Sequence, residues 1–141
     1  MCHDAGVPVS GFDHVAITVA DVDATIAWYE RVLGAEPLHL DLWREGKLPI
    51  ALLQVGASRL SVHPASAPAA PHADTPIPGS ADLCFRFDGP VAEILALPPT
   101  FLPRSLPLAP SFSSWASAGK AGRSPGLDGN LLELLTLDGG T

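Results

Sequence analysis

Sulfur, positive charge and long apolar runs are all scarce in this 141-residue chain, and each scarcity removes a class of protein. There are two cysteines, Cys2 and Cys84. A disulfide framework or a cysteine-rich zinc site needs more, so both are expected as reduced thiols, Cys84 within the core. Lys and Arg number 8 against 15 Asp and Glu, a formal net charge of -7. Binding to a nucleic-acid backbone depends on clustered cations, which argues against nucleic acid as a partner. No apolar run reaches the roughly 20 residues of a membrane span. The first residues also lack the basic-then-apolar order of a secretory signal, and together these absences predict a cytoplasmic protein without a membrane partner. Charged residues make up 16% of the chain and hydrophobic ones 47%, a balance too apolar for general disorder. The length suits one domain with a real core.

One absence is local. From Ile94 through Leu127 there is no acidic residue, and between Pro98 and Gly126 there are six prolines and six serines. Proline removes ladder donors, so short strands or irregular chain are expected in this stretch.

The rest of the chain shows a weak internal repeat. Residues 12–19 alternate as a strand, with Phe12, His14, Ala16 and Thr18 on one face. Asp21 then caps a helix whose stripe is Val22, Ile26, Tyr29 and Leu33, closed by Gly34. Runs near Leu38–Trp43, Ile50–Val55 and Arg59–His63 read as three strands, separated by turn-like residues 44–47 and 56–58. Residues 65–80, rich in Pro, Ala and Ser, form a linker. Residues 82–87 read as a strand, and Gly89-Pro90 opens a short helix through Leu97 that Pro98-Pro99 ends. Overlaying the halves sets His14 against Asp82, and residues 56–61 against 128–133. The predicted fold is α+β: two βαβββ modules. Module one covers about 10–64 and module two about 81–138, the second expected to be incomplete.

Two polar residues stand out within apolar strand runs. His14 lies in Phe12-Asp13-His14-Val15-Ala16-Ile17 and Glu133 in Asn130-Leu131-Leu132-Glu133-Leu134. Both side chains are competent metal ligands; the plainer alternatives are a hydrogen-bonded structural histidine and an outward-facing glutamate.

With these residues in view, the sequence resembles the vicinal oxygen chelate superfamily, which includes glyoxalase I, extradiol dioxygenases, fosfomycin-modifying enzymes and bleomycin-binding proteins. The resemblance is carried by residues 12–34, by Pro78-Gly79-Ser80-Ala81-Asp82-Leu83-Cys84-Phe85 and by Asp128-Gly129-Asn130-Leu131-Leu132-Glu133. It implies curved mixed sheets that enclose a cavity with a divalent metal at its base, with ligands from the first and last strand of each module. His14 and Glu133 match two of those positions, and Asp82 occupies the first-strand position of module two. Ser61 occupies the fourth and is a poor ligand. His63, two residues on and on the same strand face, is the expected substitute.

Two imidazoles with carboxylates suit Zn, Ni, Mn, Fe or Co far better than Ca. Such a site would act on a small oxygen-rich molecule, as a metal-dependent lyase, isomerase or dioxygenase-like enzyme, with Glu133 or Asp82 as the base. One alternative is a metal-free protein that sequesters an antibiotic or other planar ligand in a groove lined by Trp43, Trp115 and Phe101. Another is an inactive scaffold with a disrupted second module. A homodimer is the assembly the resemblance implies. Simpler roles stand beside the assignments: His63 as a strand-end imidazole before Pro64, Asp82 as a cap or paired with Arg86, and Trp28 and Tyr29 as core and interface. His3, His39 and His72 receive no chemistry.

Overall fold

The structure, a computed structural model, describes residues 6–98, 104–106, 119–122 and 128–136. Cys2, His3, Phe101 and Trp115 lie outside the described residues, as does most of the proline-dense stretch. Module one runs β1 (Val15–Val19), α1 (Val22–Leu33), β2 (Glu36–Leu38), α2 (Leu40–Arg44), β3 (Ala51–Val55) and β4 (Ser58–Pro64). Module two runs β5 (Asp82–Arg86), α3 (Val91–Leu95), β6 (Arg104–Leu106), β7 (Gly119–Gly122) and β8 (Leu131–Leu135). The two sheets share one plan. Their strand orders are β1-β4-β3-β2 and β5-β8-β7-β6, and in each the first strand lies parallel to the last while the other pairs are antiparallel.

The helix α1 forms as its sequence dictates. The Asp21 side chain accepts from the Ala24 N–H at 3.0 Å, filling one of the donors a helix start leaves open. At the other end Gly34 adopts φ 63°, and the N–H groups of Gly34 and Ala35 return to the carbonyls of Glu30 and Tyr29. A side chain at that left-handed position would be strained, which is why glycine stops the helix there. Val22, Ile26 and Tyr29 face inward together with Thr25 and Trp28. They meet Ile17, Val19, Leu53, Leu60 and Val62 from the first sheet. Ile94, Leu132 and Leu134 from module two join the same cluster, so the halves share one core.

Two expectations fail. The run Leu38–Trp43 is not a strand: β2 ends at Leu38, and His39, at φ 54°, turns the chain into the short helix α2. Leu40 and Trp43, three residues apart, both pack on the core, a spacing that a helical turn satisfies and a strand does not. Cys84 is exposed and outside the core. On β5 it is Leu83 and Phe85 that turn toward the core, leaving Asp82, Cys84 and Arg86 on the other face. Of the second module's middle strands the structure describes Arg104–Leu106 and Gly119–Gly122. Among the described residues no helix is long and apolar enough to cross a membrane.

The ring of Tyr29 packs edge-on against Trp28, with centroids 5.2 Å apart. Tyr29 is 1% and Trp28 2% exposed. Among the described residues neither the Tyr29 hydroxyl nor the Trp28 Nε1 has a hydrogen-bond partner, and burial pushes the Tyr29 pKa far above its ordinary value. A buried donor without a partner costs about 1–3 kcal/mol. Tyr29→Phe is therefore expected to leave stability unchanged or raise it by about 1 kcal/mol, measured by urea unfolding. A clear loss would show that the hydroxyl is satisfied.

Candidate functional site

Strand register puts the predicted site residues on the faces turned away from the core. In module one, Ile17 and Val19 pair with Val62 and Pro64 and the core side takes Leu60 and Val62; Ala16 pairs with Ser61 and Thr18 with His63 on the opposite side. In module two Cys84 pairs with Glu133, between the buried Leu132 and Leu134. The repeat inferred from sequence set Ala16 against Cys84 and Ser61 against Glu133, and the two parallel registers reproduce that equivalence. The substitution of Ser61 by His63 therefore has a geometric consequence. His63 stands two residues beyond the place symmetric with Glu133, while His14 stands two residues before Ala16. Their backbone levels differ by four residues, about 13 Å along the strands.

A cleft of ≈ 410 Å³ nevertheless takes its walls from both modules, and His14, Thr18, His63, His72 and Asp82 line it. His72, to which the sequence assigned no chemistry, comes from the linker. The signal was missed because a histidine in a Pro- and Ala-rich segment has no strand or helix to indicate where it points. Glu133 is not among the lining residues; it meets Asp82 beside the cleft. Among the described residues no three His, Cys, Asp or Glu side chains are gathered closely enough to hold a metal ion in one chain. A second cleft of ≈ 400 Å³ is mainly apolar, walled by Val32, Leu33, Val55, Phe85, Phe87 and Leu134 with Arg86 and Asp88. Trp43 lines neither. The ion pairs found among the described residues are His14–Asp13 and Lys47–Glu45, and the suggested Asp82–Arg86 pair is not one of them.

Each site residue has a distinct electrostatic setting. His14, its side chain 49% exposed, has Nδ1 2.8 Å from an Asp13 carboxylate oxygen. That oxygen accepts, so Nδ1 carries the hydrogen, and the hydrogen bond and charge of His14 hold the Asp13 carboxyl below its ordinary pKa. His63 is 9% exposed, and burial, with smaller contributions from His72 and His14, lowers its pKa. It is a neutral imidazole at pH 7, able to accept a hydrogen bond or donate a lone pair. Burial raises the pKa of Glu133, and the neighbouring Asp82 raises it further through its charge and a side-chain hydrogen bond.

The Asp128-Gly129-Asn130 turn ties the modules together. The Ala20 N–H, just past β1, donates to Asp128 Oδ2 at 2.8 Å. Two residues on, Asn130 Oδ1 accepts from the Ala81 N–H at 3.0 Å, at the start of β5. A Cβ on Gly79, which adopts φ +83°, would stand 3.1 Å from the Asp128 carbonyl oxygen, so a larger residue there would be strained and would press on the turn. This short turn thus holds the end of the His14 strand and the start of the Asp82 strand against the entry to the Glu133 strand.

A model of the Glyoxalase/Bleomycin resistance protein/Dioxygenase superfamily matches residues 11–112. The chain belongs to this superfamily. It is 33% identical over 88 residues to virulence protein STM3117 of Salmonella typhimurium, covering 62% of this chain and 57% of that protein. It is 33% identical over 85 residues to the glyoxalase domain-containing protein RDO1 of Mycosarcoma maydis, covering 60% and 44%. The matches thus span about half the length of these relatives. The crystal structure of STM3117 superposes with a TM-score of 0.71 at 30% identity, covering 92% of this chain and 98% of that one. The lactoylglutathione lyase of Agrobacterium tumefaciens shares the fold at 24% identity and TM-score 0.62, covering 92% and 96%.

Two measurements check this geometry. Asp128→Ala is expected to cost about 1 kcal/mol and to speed amide exchange at Ala20, while Asp128→Asn, which keeps an acceptor oxygen, restores most of the protection. Equal exchange in both variants would remove the tie. Glu133→Gln tests the carboxyl pair through pH. Folding raises the Glu133 pKa above 4.5, so the associated stability is full below that value and is lost as pH rises through the raised pKa. The variant should lose less stability than wild type over this interval, read from urea midpoints; parallel profiles would show that Glu133 does not sense Asp82. His63 acts in the opposite sense, its contribution present above 6.5 and lost as pH falls through its lowered value.

Proposed function

We propose that the protein takes up a small oxygen-rich molecule in the cleft between its modules and moves a proton on it. His14, His63 and Asp82 address the ligand's oxygens, and the Asp82–Glu133 pair supplies the proton-transfer group. The observation that carries this reading is the shared cleft: its ≈ 410 Å³ has the size of a small-molecule site, and polar groups from both modules line it. Buried, neutral His63 accepts a hydrogen bond from a hydroxyl. Asp82, on the cleft wall, takes a proton from carbon beside a carbonyl, with Glu133 as the carboxyl partner hydrogen-bonded behind it. The C–H electrons pass into the enediolate, and the protonated carboxyl returns the proton to carbon or oxygen.

The contact between Asp82 and Glu133 favours a second reading, in which the same residues serve a divalent transition metal. His14, His63, Asp82 and Glu133 would hold Zn, Ni, Mn, Fe or Co. The donor set fits such an ion in kind, two imidazole nitrogens with two carboxylates. In position it does not fit within one chain, since the imidazoles stand four residues apart along the strands and no three donors gather. A homodimer that sets one chain's imidazoles beside the partner's carboxylates is the arrangement this reading requires.

Hydrogen exchange into the carbon-bound positions of dihydroxyacetone, followed by NMR in deuterium oxide, tests the first reading. Wild type is expected to accelerate it and Glu133→Gln to lose at least about tenfold of that acceleration. Binding without exchange would leave a sequestering protein, and neither binding nor exchange sinks the proposal. For the second reading, protein purified without chelator should carry a stoichiometric transition metal that both His14→Ala and Glu133→Ala lose, with light scattering reporting a dimer. Metal content unchanged in both variants would remove those residues from any metal centre.

A further inference from the structure

The linker brings a third imidazole to the cleft. Pro71, His72, Ala73 and Thr75 line it together with His14 and His63. His72 Nδ1 lies 2.7 Å from the Ala73 carbonyl oxygen. A carbonyl oxygen only accepts, so the hydrogen resides on Nδ1, and whenever the ring carries a single hydrogen Nε2 is left as a bare acceptor. His14 is tied by Asp13 through the same nitrogen, at 2.8 Å. An imidazole held at one nitrogen has a defined tautomer and a restricted orientation, which readies the other nitrogen for a ligand. Two of the three histidines at this cleft share that arrangement. His72 is also near enough to His63 for its charge to bear on that ring.

We propose that His72 is a ligand-contacting residue of the cleft, its Nε2 accepting a hydrogen bond from a hydroxyl of the bound molecule. The inference rests on the proposed function in taking this cleft as the ligand site. The spacing of the donors says what kind of ligand bridges them. No three of them can hold an ion between them, whereas a molecule several ångströms long reaches imidazoles on separate walls. The ligand class is a neutral molecule with hydroxyls beside a carbonyl: a hydroxyl hydrogen meets Nε2, and no anionic group is set against Asp82 or the chain's net charge of -7.

Dihydroxyacetone is the probe, titrated into the full chain while nitrogen NMR follows the imidazoles. Free protein should show His72 with its hydrogen on Nδ1, and the ligand should shift the His72 Nε2 resonance. His72→Ala should weaken binding about tenfold, the equivalent of one hydrogen bond. His72→Gln, which keeps an acceptor oxygen, should recover much of that loss, and His72→Ala should melt at the wild-type temperature. Wild-type affinity in His72→Ala, with binding abolished in His63→Ala and Asp82→Asn, overturns the role of His72 and leaves the cleft as the site. Loss in His72→Ala with no effect of His14→Ala, His63→Ala or Asp82→Asn keeps His72 and overturns the proposed function. No binding by wild type overturns both.

Discussion

Parallel pairing of the first and last strand of each module is the constraint from which the site follows. Parallel neighbours cannot be joined by a tight turn, so a helix and further strands must intervene before the chain returns. Residues some 45–50 positions apart then face each other, Ala16 with Ser61 and Cys84 with Glu133. Period-two alternation does the rest. Leu60, Val62, Leu132 and Leu134 are committed to the shared core, and every residue between them is forced to the other face. Shifting one strand by a single residue would bury the imidazole or carboxyl and expose the leucines, so the apolar core enforces the position of the polar groups.

The same alternation leaves those polar groups in unequal environments. His63 is nearly enclosed, His14 is half open, and the two module-two carboxyls lie side by side. Burial is the first cause of the displaced pKa values of His63 and Glu133, and neighbouring charges add to it in the same direction. Asp128 and Asn130 convert these separate faces into walls of a common cleft by holding the strand ends of both modules.

How much of this was legible before folding depended on whether a residue's environment was local. Helix α1 could be read outright, since its cap, stripe and glycine stop all lie within fourteen residues. The repeat could be read too, because the equivalence of Ser61 with Glu133 is a matter of register. Leu38–Trp43 misled, since a short apolar run fits a strand or a single helical turn, and the left-handed His39 that decides between them leaves no signature in composition. Cys84 misled for another reason: its strand has a core face and an open face, and a lone cysteine suits either. The place of His72 was beyond reach, because a linker's path is set by what its two ends are attached to.

The thiol of Cys84 lies on the open face, opposite Glu133. Burial, followed by the charges of Glu133 and Asp82, pushes its pKa upward, outweighing the opposing pull of Arg86. Since the thiolate is the nucleophile, an acidic neighbourhood keeps this sulfur sluggish at neutral pH. An electrophile arriving at this face would meet a passivated group.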